Sequence, residues 1–182
     1  MARVPYVKRE CLPAEKVGIY DRIASTRGSV QNVFAALMNS PDAAEVVTAV
    51  GEYLRYRCPL DPAIRETAIL ATAREMGNRY EWAQHEPVAR QVGVRDDVIE
   101  AVRSGRAPMG LPPKEGVFAQ GARELVRNGE LSDETFEAIE HLLGTARTVD
   151  FVVLVGYYSM VARIISTLKV DFDDWLEQET GF

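Results

Sequence analysis

Glycine and proline cut this chain into stretches of helical length, and almost none of those stretches alternates apolar and polar residues as a half-buried strand must. An all-α architecture follows. Helices are expected over residues 14–25 and, after a Gly-Ser break, 30–38. Ser40 stands where a cap would, with Pro41 in the first turn, where a missing N–H costs nothing. That third helix should run through Tyr56 and stop near Cys58-Pro59, because a residue before proline is biased away from helical backbone angles. Asp61-Pro62 repeats the start signal and Gly77 supplies a left-handed stop. The next helix should close at Gly93, with a kink between Ala83 and Pro87 where proline removes a hydrogen bond. Helices over 96–104, 113–127 and 133–143 follow, and the glycine-proline stretch 105–113 is the longest loop expected.

The last helix, 146–168, is apolar over nearly its whole length and approaches the length of a membrane span. Asp150, Gly156, Ser159 and Arg163 interrupt it, so a buried central or subunit-interface helix explains it better, and no membrane partner is expected. A length of 182 residues suits one domain. The net charge of -6 gives no reason to bind nucleic acid. The N-terminal stretch has no apolar core of the kind a secretory signal needs, so the cytoplasm is the expected location. Cys11 and Cys58 form neither a CxxC motif nor a metal-ligand pair and read as reduced thiols.

Chemistry is concentrated in two neighbouring helices. Helical spacing puts Ala63, Ile69, Leu70 and Ala73 on the face of Glu66, so its carboxylate points at the core, where it must find a partner or take up a proton. Glu81 and His85 stand four apart on a side shared with Trp82, Val88, Ala89 and Val92. Two carboxylates and an imidazole in one apolar pocket perturb one another, which is how acids and bases are poised near neutral pH. Spacing alone leaves three readings open: a satisfied structural network, an acid-base site, and a metal site of two glutamates and a histidine. No HExxH or facial-triad pattern supports the last. His141, on an acidic helix face, reads as a surface residue. Tyr157 and Tyr158 read as core residues, one of which could reach the pocket.

The run RETAILATAREMGNRYEWAQHEPVARQVGV resembles the signature of carboxymuconolactone decarboxylase-like proteins: Arg-Glu on one helix, then Tyr-Glu-Trp, then a histidine four residues after that glutamate. SDETFEAIEHLL and VDFVVLVGYYSMVARII resemble the C-terminal helices of longer members, so the resemblance implies a family core over about 23–172 with extensions at both ends. The resemblance implies an alkylhydroperoxidase D-like multi-helix bundle that works as a homo-oligomer (dimer, trimer or hexamer) on a small-molecule substrate. In the alkylhydroperoxidase D branch a glutamate, a CxxC pair and a histidine relay protons to a peroxidatic thiol. The glutamate falls on Glu66 and the histidine on His85, while the two cysteine positions fall on Asn78 and Glu81. With no thiolate there, the dithiol mechanism lacks its nucleophile.

The resemblance therefore implies cofactor-free and metal-free acid-base catalysis by Glu66, Glu81 and His85, namely decarboxylation or isomerisation of a small carboxylate or lactone. Arg65, Arg79 or a tyrosine would stabilise the enolate. Two rivals stand beside it. One is an antioxidant activity using a single thiol, Cys11 or Cys58. The other is a non-enzymatic ligand-binding or scaffold protein in which the three residues form only a buried network.

Overall fold

A computed structural model describes residues 1–105, 113–176 and Phe182. Helices dominate it, and no strand occurs among the described residues. In chain order they are α1 (Val17–Arg27), α2 (Asn32–Leu37), α3 (Pro41–Glu52), α4 (Pro62–Glu75), α5 (Arg79–Gln91), α6 (Asp96–Arg103), α7 (Pro113–Asn128), α8 (Asp133–Leu143) and α9 (Thr145–Leu168). Short 3-10 turns at Arg9–Cys11 and Ala14–Lys16 precede α1. The loop expected over 105–113 falls, apart from its two end residues, at 106–112, outside the described residues.

Sequence signals set most helix ends, but not in the same way. Asp61 caps α4 by accepting from the backbone N–H groups of Ala63 and Ile64, and Asn78 caps α5 by accepting from that of Glu81. Ser40 occupies the cap position of α3 without a side-chain bond, so Pro41 carries that start signal alone. At the far end α3 continues as a π-helical turn, Tyr53–Arg57, closed by Cys58 N–H donating to the Tyr53 carbonyl at 2.7 Å. Gly77 and Gly93 take positive φ just beyond α4 and α5, as a left-handed stop requires. α5 is continuous through Pro87, whose ring sits on the exposed side.

The chain forms two compact units. The first contains residues 1–58 and 164–175. Its core is built from Ile19 and Ile23 of α1, Val33 and Phe34 of α2, and Leu54 of the π turn. The N-terminal segment is tied in by main-chain bonds from Arg3 to Leu168 and from Val7 to Ala35.

The second unit contains residues 59–163 and 176–182. Here α4 is central and packs against α5, α6 and α7. Every residue from Glu66 to Ala73 is buried, not only the stripe that helical spacing marks. Small Ala and Thr side chains let neighbours close on several sides, and Thr72 returns its hydroxyl to the Ala68 carbonyl at 2.8 Å. α7 and α8 approach closely at Gly121, where an added Cβ would stand 2.6 Å from the Ile139 side chain. α9 has the length and composition of a membrane-crossing helix, yet half of its most apolar window is buried within the protein. Phe151, Leu154, Tyr158 and Val161 face inward, while Val149, Val152, Val153 and Met160 stay exposed.

Candidate functional site

Glu66 enters from the middle of α4, and Glu81 and His85 lie on one face of α5, one helical turn apart. All three are buried: Glu66 is 0%, His85 2% and Glu81 5% exposed. The packing of α4 against α5 brings His85 Nδ1 to 2.6 Å from Glu66 Oε2. A carboxylate can only accept, so the ring donates its Nδ1–H. That bond fixes the tautomer and turns Nε2 toward Glu81, whose Oε2 lies 3.6 Å away, beyond direct hydrogen-bond length. Because the two imidazole nitrogens address different carboxylates, the three side chains do not converge on a single point.

Arg65 reaches back to Glu66 Oε1 at 3.2 Å, so the carboxylate holding His85 is itself answered by a cation. Arg79, the other arginine expected as an enolate stabiliser, is exposed in the first turn of α5. Tyr158 of α9 meets the His85 ring in a T-shaped contact at 5.0 Å, and Tyr157 stacks on Tyr158 in the same manner. The tyrosine that reaches the site is thus Tyr158. His141 is exposed, as its acidic helix face implied. Cys11 is exposed and Cys58 buried, and both belong to the first unit, whereas the glutamate-histidine cluster lies in the second.

Two features escaped the sequence. Asn78, aligned with a peroxidase cysteine, is a buried structural hub that caps α5 and also donates from Nδ2 to the Ala162 carbonyl of α9 at 3.0 Å. Its place before α5 signals the cap, but nothing in the sequence signals the bridge to α9. Glu86 is the second. It accepts from Trp82 Nε1 at 2.6 Å and from Arg90 at 2.8 Å, and it pairs with Arg103, whose guanidinium lies over the Trp82 ring. Burial alone would raise its pKa, but the bonds from Arg90 and Trp82 and the charge of Arg103 outweigh it and hold the carboxyl below the ordinary range. The i,i+4 spacings of Trp82, Glu86 and Arg90 could have announced this cluster.

Residues 41–124 match the model of the carboxymuconolactone decarboxylase family. That segment belongs to the carboxymuconolactone decarboxylase family. It contains Glu66, Glu81 and His85, and ends within α7. Solved structures extend the likeness to nearly the whole chain. An alkylhydroperoxidase AhpD core protein, an uncharacterized peroxidase-related protein from Ralstonia eutropha JMP134, superposes with a TM-score of 0.78 at 20% identity over 95% of this chain and 93% of that one. An uncharacterized peroxidase-related protein from Silicibacter sp. TM1040 gives 0.77 at 18% identity over 96% and 92%. The debrominase Bmp8, as a cysteine-to-alanine variant in complex with 2,3,4-tribromopyrrole, gives 0.76 at 11% identity over 94% and 91%. At these identities the likeness establishes an alkylhydroperoxidase D-like fold for the chain. A comparison with curated protein sequences finds no match.

Proposed function

We propose that this carboxymuconolactone decarboxylase-like protein is a cofactor-free enzyme that moves a proton on a small carboxylate or lactone, with His85 as the group that carries it. One observation supports the reading above all: a buried imidazole is held through Nδ1 by Glu66 at 2.6 Å, with Glu81 standing off Nε2 at 3.6 Å. Glu66 anchors the ring and stabilises the imidazolium that forms when Nε2 takes a proton. Glu81 occupies the position at which the peroxidase pattern has a cysteine, and replaces a nucleophile with a second proton-carrying group.

In an isomerisation, Nε2 removes the proton alpha to the substrate carbonyl. The electron pair passes to the carbonyl oxygen as an enolate, and the imidazolium delivers a proton, exchangeable with solvent, at another carbon. In a decarboxylation, the C–CO2 bond breaks, its electron pair enters the enolate, and His85 delivers the proton that quenches it. Both steps need a donor toward the enolate oxygen. Tyr158, in contact with the His85 ring, is the candidate within the site.

The test is turnover of a panel of small lactones and carboxylates in D2O, carboxymuconolactone included, followed by NMR for loss of carboxyl carbon or uptake of deuterium. His85→Ala should lower the rate by about 100-fold to 10,000-fold, and Glu81→Gln by about 100-fold, with the fold intact by circular dichroism. If both variants turned over an identified substrate at the parent rate, the assignment would fail. Hydroperoxide consumption that vanished in the Cys11→Ser, Cys58→Ser double variant would replace it with a thiol mechanism.

A further inference from the structure

α9 has two apolar faces, and only one is used within the chain. The inner face buries Phe151, Leu154, Tyr158 and Val161. The outer face carries Val149, Val152, Val153 and Met160, which are 58%, 39%, 42% and 38% exposed, with Gly156 and Arg163 also open to solvent. Val149, Val153, Gly156, Met160 and Arg163 follow one another at steps of four, three, four and three residues. That is the spacing of a coiled-coil seam, a row made for a second helix laid along it. Their exposure shows that no helix among the described residues lies there.

Gly156 is an independent sign of what covers the row. It stands at the middle of a 24-residue helix, where glycine weakens the helix relative to alanine. A Cβ there would meet nothing within 4 Å, so packing among the described residues gives no reason for the missing side chain. Gly121 of α7 shows what a helix-interior glycine does elsewhere in this fold: the Ile139 side chain of α8 closes into the space its Cβ would take. Gly156 keeps the same clearance, and the helix that would use it comes from outside the chain. Gly156 also centres the row, with Val152 and Met160 four residues to either side and Val149 and Arg163 seven. A row balanced about one glycine suits an isologous contact, in which a two-fold axis sets Gly156 against itself and Val152 against the partner's Met160. A membrane surface asks instead for a broad apolar face flanked by Lys and Arg, and gains nothing from a bare backbone at its centre.

We propose that the outer face of α9 is a homodimer contact, in which two copies of the chain pair antiparallel along the seam and cross at Gly156. The family resemblance implies an assembly of copies and leaves its surface open. The seam and its central glycine supply that surface.

The experiment is sedimentation velocity on the full chain and its variants over about 1–100 µM, with helix content checked by circular dichroism. The parent chain should sediment at twice the mass of one chain or a larger even multiple of it. Val153→Glu, at an exposed position, should weaken association at least about 100-fold without loss of helix, because pairing would bury two like charges near the axis. Gly156→Leu separates a helix crossing from other uses of an apolar face. Its side chain has open space in the single chain but holds two backbones apart, so association should fall at least about tenfold. Gly156→Cys in a Cys11→Ser background should form a disulfide-linked dimer under mild oxidation, and Cys11→Ser alone should not. A monomer throughout, a trimer, an assembly indifferent to Val153→Glu and Gly156→Leu, or a dimer that Gly156→Cys fails to link would each overturn the proposal. So would binding to phosphatidylcholine and phosphatidylglycerol vesicles that Gly156→Leu strengthens and Val153→Glu abolishes, which would assign the face to a membrane.

Discussion

α5 carries two buried glutamates five residues apart, Glu81 and Glu86, and their surroundings differ in one decisive respect. Glu86 is answered by Arg90 and Arg103, cations that do not give up their protons, and by the indole N–H of Trp82. Glu81 faces an imidazole, which does. Burial is nearly the same at the two positions. What differs is whether the neighbouring group can change its charge, and on the proposed function that separates a fixed ion cluster at Glu86 from a proton-transfer site at Glu81 and His85.

The largest effect that could break this comparison is on stability. Glu86→Ala would leave the buried Trp82 indole N–H without its acceptor and strip Arg90 and Arg103 of one of the two carboxylates each pairs with, and should cost about 1–3 kcal/mol, read from chemical denaturation. Replacing the glutamate-histidine cluster as a unit, with Glu66→Gln, Glu81→Leu and His85→Leu, should leave stability unchanged or higher, because the amide introduced by Glu66→Gln still offers an acceptor to Arg65 and the desolvation of two carboxylates is removed. Equal losses in the two variants would show that both clusters are structural.

A smaller effect should appear with pH. The folded-state pKa of Glu86 lies below its ordinary value, so its contribution is fully present above the unfolded pKa and is lost as pH falls through the folded one. Denaturation midpoints followed downward from neutral pH should therefore fall less steeply in Glu86→Gln than in the parent chain. A parent-like acid slope in the variant would assign the acid sensitivity to other carboxylates, Glu124 being the next in line. Burial opposes ionisation there too, but hydrogen bonds from the Ser132 backbone, Gln120 and Thr135 hold its pKa down.

The contrast between local and long-range contacts decides what the sequence makes legible. Helix positions were legible because Asp61-Pro62, Gly77 and Gly93 act within their own turns, where the physics is local. Glu66 and His85 were legible because each stands on a face whose spacing is fixed by its own helix. The 2.6 Å bond between them was not, since it depends on how α4 and α5 pack. The same holds for Tyr158 against His85 and for Asn78 reaching α9, contacts across 73 and 84 positions of sequence. Ser40 marks the opposite failure. Its residue type announced a cap, but its side chain makes no bond to α3.

Asn78 is where structure and chemistry are hardest to separate, because it caps the helix that presents Glu81 and His85. Its Oδ1 accepts from Glu81 N–H at 2.9 Å, so the cap bond ends on the residue whose carboxylate faces the imidazole. Asn78→Ala should cost about 1 kcal/mol for the lost cap, and somewhat more if the Ala162 carbonyl goes unanswered. Asn78→Asp separates the two roles: it preserves the cap acceptor and removes the donor to α9. A stability near that of the parent in Asn78→Asp would assign the energy to the cap. A loss equal to that of alanine would assign it to the bridge, and would make the seating of α9, with Tyr158 on it, a condition for holding His85 in place.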